Sequence, residues 1–206
     1  AMDLLPPLPD QTLRERWPVP TGEQGGQGKK IAYFGGCAFN FALPDIGLAT
    51  LSLLLKGGNQ VFWPEHGCCG LPAYGHGDLE GARIMARKNL RVFQDLDVEA
   101  VVTECASCSS FLKKYPVLLA REPGSAEQAQ KFSSRVLDIS EFLSTQALSF
   151  PQNHQTLKVT FHDPCHLNRF QKITSQPSEL LKKVPGVQFV EMPEAANRPA
   201  GSASRS

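Results

Sequence analysis

Short runs of β-forming residues alternate along this chain with longer stretches whose apolar positions recur at helical spacing. Lys30–Phe34 (KIAYF), Asn59–Trp63 (NQVFW) and Val98–Glu104 (VEAVVTE) read as three strands. Between the first two, Pro44 and Asp45 open a helix that Gly57-Gly58 ends after Lys56. Its apolar positions, Ile46, Leu48, Ala49, Leu51, Leu53, Leu54 and Leu55, cover most of its surface and predict a well-buried helix. Asp78 caps the next helix, with Leu79, Ala82, Met85, Ala86, Leu90, Phe93 and Leu96 on one stripe. A further helix starts near Ser107 and turns Phe111, Leu112 and Tyr115 inward. The polar stretch 121–135 reads as helical, and Asp138-Ile-Ser-Glu141 has the form of a capping box that starts a helix to about Leu148.

Strands alternating with helices predict a parallel sheet with right-handed crossovers, so the fold class is α/β and Rossmann-like. A second round begins at Leu157. KVTFHDPCHL at 158–167 parallels KKIAYFGGCAF at 29–39: lysine, alternating β-formers, a tight turn, then cysteine. A helix at about Ser178–Val184 and a strand at Val187–Glu191 follow, as a helix and a strand follow Cys37. The predicted organisation is an arm or linker over 1–28, a first α/β domain over 29–150, a partial second repeat over 151–192, and a disordered tail over 193–206.

Composition narrows the function. With 21 basic and 20 acidic residues the net charge is +1, and no basic stripe is interleaved with aromatics, which argues against nucleic acid as a partner. No apolar run approaches the roughly 20 residues that cross a bilayer, and the N-terminus lacks the pattern of a secretory signal. Six cysteines in that setting point to the reducing cytoplasm, where they serve as metal ligands or redox groups rather than a disulfide frame. Scattered core thiols are the bland alternative. The clustering at 68, 69, 105 and 108 speaks against it.

Those cysteines follow the strands. Cys37 comes after the first, Cys68 and Cys69 after the second, and Cys105 and Cys108 around the end of the third. Strands of a parallel sheet share a direction, so their C-terminal ends form one edge, where ligands bind. Five thiols distant in sequence therefore converge there. The loop His66-Gly-Cys-Cys-Gly-Leu-Pro-Ala-Tyr-Gly-His-Gly77 is rich in glycine, which lets its backbone wrap closely around a ligand. Cys108 falls in the first turn of a helix, where the helix end favours thiolate. Structural zinc and a cubane [4Fe–4S] cluster each take four ligands. Five suit a larger or irregular iron–sulfur assembly, and a thioredoxin-like pair at Cys105-Ala-Ser-Cys108 leaves the other three unexplained. His66 and His76 read as solvated loop residues, Glu104 as a solvated carboxylate, and Phe62 and Trp63 as core. No fourth ligand is in view for a Cys/His zinc site at His162, Cys165 and His166.

Cys37…Cys68-Cys69-Gly70…Cys105-Ala-Ser-Cys108, that is C-x30-CC-G-x34-C-x2-C, resembles the cysteine-rich CCG domain. That domain occurs in the B and D subunits of heterodisulfide reductase and in iron–sulfur subunits of glycolate oxidase, lactate-utilisation and anaerobic glycerol-3-phosphate dehydrogenase systems. The likeness runs from about Lys30 to Met192. It implies a duplicated α/β fold in which Cys37, Cys68, Cys69, Cys105 and Cys108 ligate a noncubane [4Fe–4S] cluster or, in some members, zinc. It further implies an electron-transfer subunit working with flavoprotein and ferredoxin-like partners, as in 2-hydroxy-acid oxidation or disulfide reduction, peripheral to a membrane at most. His162-Asp-Pro-Cys-His166 resembles the start of the family's second motif and Glu191-Met-Pro-Glu-Ala195 the lead-in to a second CCG, but no cysteine pair follows. The expectation is that Cys165 has lost its role, and that the chain is either an excised fragment or a reduced homologue whose partner supplies the missing centres.

Overall fold

The computed structural model describes residues 8–17, 24–25, 28–150, 152 and 156–192. Two compact units divide the chain, residues 1–139 and 140–206. The expected disordered tail at 193–206 lies outside the described residues, as does most of the expected arm.

In the first unit, α1 (Leu13–Arg16) precedes β1 (Gln24–Gly25), β2 (Lys30–Tyr33), α2 (Cys37–Phe41), α3 (Pro44–Lys56) and β3 (Gln60–Phe62). Then come α4 (Leu71–Gly75), α5 (Leu79–Phe93), β4 (Ala100–Thr103), α6 (Ala106–Leu112), α7 (Tyr115–Leu118), α8 (Pro123–Ser133) and β5 (Val136–Asp138). The sheet order is β1-β3-β2-β4-β5. Only β1 is antiparallel to its neighbour; Ile31 lies between Val61 and Ala100, and Val102 pairs with Leu137 in parallel register. The chain passes from β2 outward to β3 and then back across to β4. This reversal puts the topological switch point of a doubly wound sheet beyond the C-terminal ends of β2 and β4.

Burial follows from the layering. β4 is enclosed at every position, and Ile31, Ala32 and Tyr33 of β2 are inaccessible, as central parallel strands covered on both faces must be. α5 buries Ala82, Ala86, Asn89, Leu90 and Phe93, and its Asp78 cap accepts the Gly81 N–H at 2.8 Å. Phe34, Phe93, Phe111, Tyr115 and Phe132 join these in one core, each aromatic worth about 1.5–3 kcal/mol on burial.

Three expectations need correction. α3 has the predicted bounds, but it buries only Pro44, Gly47, Thr50, Leu51 and Leu54. Ile46 and Leu53 are exposed, because one side of this outer helix has no layer against it. The arm is not a bare surface linker: Thr12 and Glu15 form a capping box, and Leu13 is fully buried against Gly47. Arg14 stacks 4.0 Å over the Trp63 ring and donates to the Pro64 carbonyl at 3.0 Å, which ties α1 to the segment leading into the cysteine loop. Finally, β5 forms where no strand was expected, its last residue Asp138 having been read as a helix cap, and α9 (Ile139–Ser144) stops short of Leu148.

Past the division at 139/140, β6 (Leu157–Val159) pairs in parallel with β7 (Val187–Phe189), connected through α10 (Cys165–Gln171) and α11 (Gln176–Lys182). This repeats the β2–α2–α3–β3 order, with Cys165 opening α10 as Cys37 opens α2. The expected half-repeat is present as a strand–helix–helix–strand unit.

Candidate metal centre

Each strand of the switch-point region delivers sulfur at its C-terminal end. Beyond β2, Gly36 caps α2 and Cys37, its first residue, is exposed. After β3, Cys68 and the buried Cys69 lie in the loop before α4; after β4, Cys105 caps α6 and Cys108 lies buried within its first turn. All six cysteines are free, so Cys68 and Cys69 form no vicinal disulfide.

The structure brings four of these sulfurs into contact. Cys68 and Cys108 both direct S–H groups at Cys69, and Cys108 also meets Cys105. The Cys108 N–H reaches the Cys105 Sγ at 3.4 Å. Cys37 stands within electrostatic reach of Cys68. Cys165 belongs to the second unit and is exposed. A Cβ on Gly36 would lie 3.2 Å from the Cys105 Cβ and 3.5 Å from the Cys108 Sγ, so a side chain there would crowd the sulfur cluster. Among the described residues, no three His, Cys, Asp or Glu side chains surround a position for a single ion.

Proton sharing separates the thiols. Hydrogen bonds from Cys108 and Cys68, with the Leu71 N–H, hold Cys69 down at about 3 despite its burial. The Cys108 side chain and the N–H groups of Cys108 and Ser107 hold Cys105 at about 7. Cys108 itself is pushed up by the same two sulfur contacts and by burial. These contacts favour the thiolate at Cys69 and Cys105 and disfavour it at Cys108, against the expectation that the helix end makes Cys108 the favoured thiolate.

Two further readings change. His66 is no solvated loop residue: it stacks on Phe34 with ring centroids 4.0 Å apart, and burial pushes it down to about 4. His76 does sit on the exposed loop, near the Pro72 carbonyl at 2.8 Å. Glu104 is enclosed rather than solvated, accepts the Tyr33 O–H at 2.9 Å, and is raised by burial to about 7. Neither role was visible from sequence, because a carboxylate and a histidine next to loop glycines look solvated until the core closes over them.

The cysteine loop depends on one backbone conformation. Gly70 has φ of +97°, and an added Cβ would sit 3.3 Å from both the Ala82 carbonyl oxygen and a Phe111 ring carbon. Gly70→Ala is expected to cost at least about 1–2 kcal/mol from the left-handed backbone alone, checked by denaturant titration. Unchanged stability would contradict the described turn.

An open parallel sheet that gathers free thiols at the C-terminal rim of its switch point defines a cysteine-rich α/β module. Comparison with known proteins agrees: the cysteine-rich domain with the CCG motif matches residues 31–113 and 159–199, and the chain belongs to that family. It is 34% identical to the probable glycolate oxidase iron–sulfur subunit of Bacillus subtilis, over 97% of this chain and 46% of that protein. It is 35% identical to one of the subunits of the fumarate reductase (CoM/CoB) of Methanothermobacter marburgensis, over 80% of this chain and 31% of that subunit. Lactate utilization protein A of Bacillus subtilis is 32% identical, over 82% of this chain and 71% of that protein. The chain thus spans less than half the length of the first two. No solved structure matches. Among the described residues, no helix is long and apolar enough to cross a membrane.

Proposed function

We propose that Cys37, Cys68, Cys69, Cys105 and Cys108 hold one noncubane [4Fe–4S] cluster and that the chain relays electrons as part of an oxidoreductase complex. The observation that carries this reading is the run of sulfur contacts at the switch point, from Cys68 to Cys69 to Cys108 to Cys105, with Cys37 beside it. Soft thiolates select iron–sulfur clusters, copper(I) and zinc, and this set has one sulfur more than tetrahedral zinc uses. Relatives named as an iron–sulfur subunit and an iron–sulfur protein favour the cluster among these.

When bound, such a group accepts and passes on single electrons at a potential set by its surroundings. The chain's own residues supply those surroundings. The thiolate is favoured at Cys69 and Cys105, where the N–H groups of Leu71 and Ser107 support it, and the aromatic core behind them excludes water. The exposed Cys37 leaves one side open for an electron partner. We take that partner to be a flavoprotein or ferredoxin-like subunit of an oxidoreductase complex, in keeping with relatives named for glycolate oxidase, lactate utilization and fumarate reductase (CoM/CoB).

Anaerobic reconstitution with iron and sulfide is expected to give a brown protein with about four iron and four sulfide per chain. Tight zinc alone, with unfolding on chelation and no visible chromophore, is the outcome that overturns this in favour of a structural zinc module.

A further inference from the structure

Asn89 and Tyr115 are both inaccessible to solvent, yet each carries polar atoms that need partners inside the core. They find them on the backbone of the cysteine loop. Asn89 Oδ1 accepts the Gly67 N–H at 3.1 Å, and its Nδ2 donates to the Cys68 carbonyl at 2.9 Å and to the Tyr115 hydroxyl at 3.1 Å. The Tyr115 O–H in turn donates to the Cys69 carbonyl at 2.7 Å. The network is closed and fixes its own amide orientation, since a flipped Asn89 would point N–H₂ at the Gly67 N–H.

We infer that Asn89 and Tyr115 are positioning residues that lock the peptide planes of Cys68-Cys69-Gly70, so that the loop's N–H groups face the sulfurs. The reason is covalent geometry. In a trans peptide the carbonyl and the following N–H point in opposite directions. Tyr115 draws the Cys69 carbonyl into the core, which turns the Gly70 N–H of the same plane outward to the sulfur side, where it favours the Cys68 thiolate. Asn89 draws in the Cys68 carbonyl, which turns the N–H of that plane, on Cys69, to the sulfur side, where it favours the Cys69 thiolate. Two adjacent cysteines would otherwise tend to point to opposite sides of an extended chain. The clamp from α5 and α7 holds both toward one rim.

The consequence rests on the proposed cluster. N–H groups aimed at ligating sulfurs stabilise the more negative, reduced state and so raise the reduction potential. Tyr115→Phe removes one oxygen and leaves the ring packing against Phe111 and Phe132 in place. Wild type and Tyr115→Phe are to be reconstituted anaerobically and compared by redox titration and visible spectrum, with Tyr74→Phe at an exposed position of α4 as the control. The expected result is a more negative midpoint, or a lower cluster content per chain, for Tyr115→Phe alone. Hydrogen exchange of the 67–71 amides in metal-free protein should be faster in Tyr115→Phe, and this readout needs no cluster. Equal midpoint, equal loading and equal exchange would overturn the clamp. A wild-type protein that takes up no cluster, combined with faster exchange in the variant, would sink the functional reading and leave the clamp standing.

Discussion

Cys69→Ser is expected to abolish the brown chromophore and to reduce iron and sulfide per chain at least about tenfold, since even outer-shell changes at metal sites cost 10–100-fold in affinity. Cys69 is the most connected of the five sulfurs: it receives the S–H groups of Cys68 and Cys108 and the N–H of Leu71 while almost wholly buried. A serine hydroxyl fills the same space and keeps those hydrogen bonds, so the metal-free fold should survive with its melting temperature nearly unchanged. It is, however, a hard oxygen that stays protonated and does not replace a soft thiolate. Cys165→Ser, at an exposed site in the other unit, should leave iron and sulfide at wild-type values. If Cys69→Ser retains full iron and sulfide, the ligand set is wrong; if both variants lose them alike, the loss reports handling rather than ligation.

The rim of cysteines was legible in the sequence because each group of them comes within a few residues of the end of a β-type run, and parallel topology does the rest. Strand order was less visible. β5 is three residues, Val136-Leu-Asp138, too short to show a period and placed directly before a capping box. α1 is a single turn among prolines and glycines, although Thr12-Leu-Arg-Glu15 spells a capping box that could have marked it. The helix register of α5 held a clearer missed signal: Asn89 sits on the stripe of Ala82, Ala86 and Phe93, where a polar residue must be satisfied from within. Its partners, the carbonyl of Cys68 and the hydroxyl of Tyr115, lie 21 and 26 residues away, and only the closed fold pairs them. The sharing of protons among the sulfurs is likewise set by contacts between two segments, at Cys68-Cys69 and at Cys105–Cys108, which no spacing encodes.

Phe93→Ala should be the most damaging single change in the core, costing roughly 3–5 kcal/mol. Phe93 ends α5 with no exposed surface, and its ring lies 5.8 Å from Phe34, 5.8 Å from His66 and 5.5 Å from Phe132. These neighbours come from the end of β2, the lead-in to the cysteine loop, and α8, so no single element can shift to fill the void. For a protein of this size the loss corresponds to a fall of about 10 °C or more in melting temperature. Val117→Ala, at a position 80% exposed, should change stability by no more than about 0.5 kcal/mol. The site should suffer as well, because Phe34 and His66 stack against each other directly beneath the segment that carries Cys68 and Cys69. Removing Phe93 therefore loosens two of the three sulfur-bearing loops from below, and cluster content should fall even at temperatures where the variant is folded. A cost under about 1 kcal/mol, with full cluster content, would mean that the aromatic layer does not support the rim.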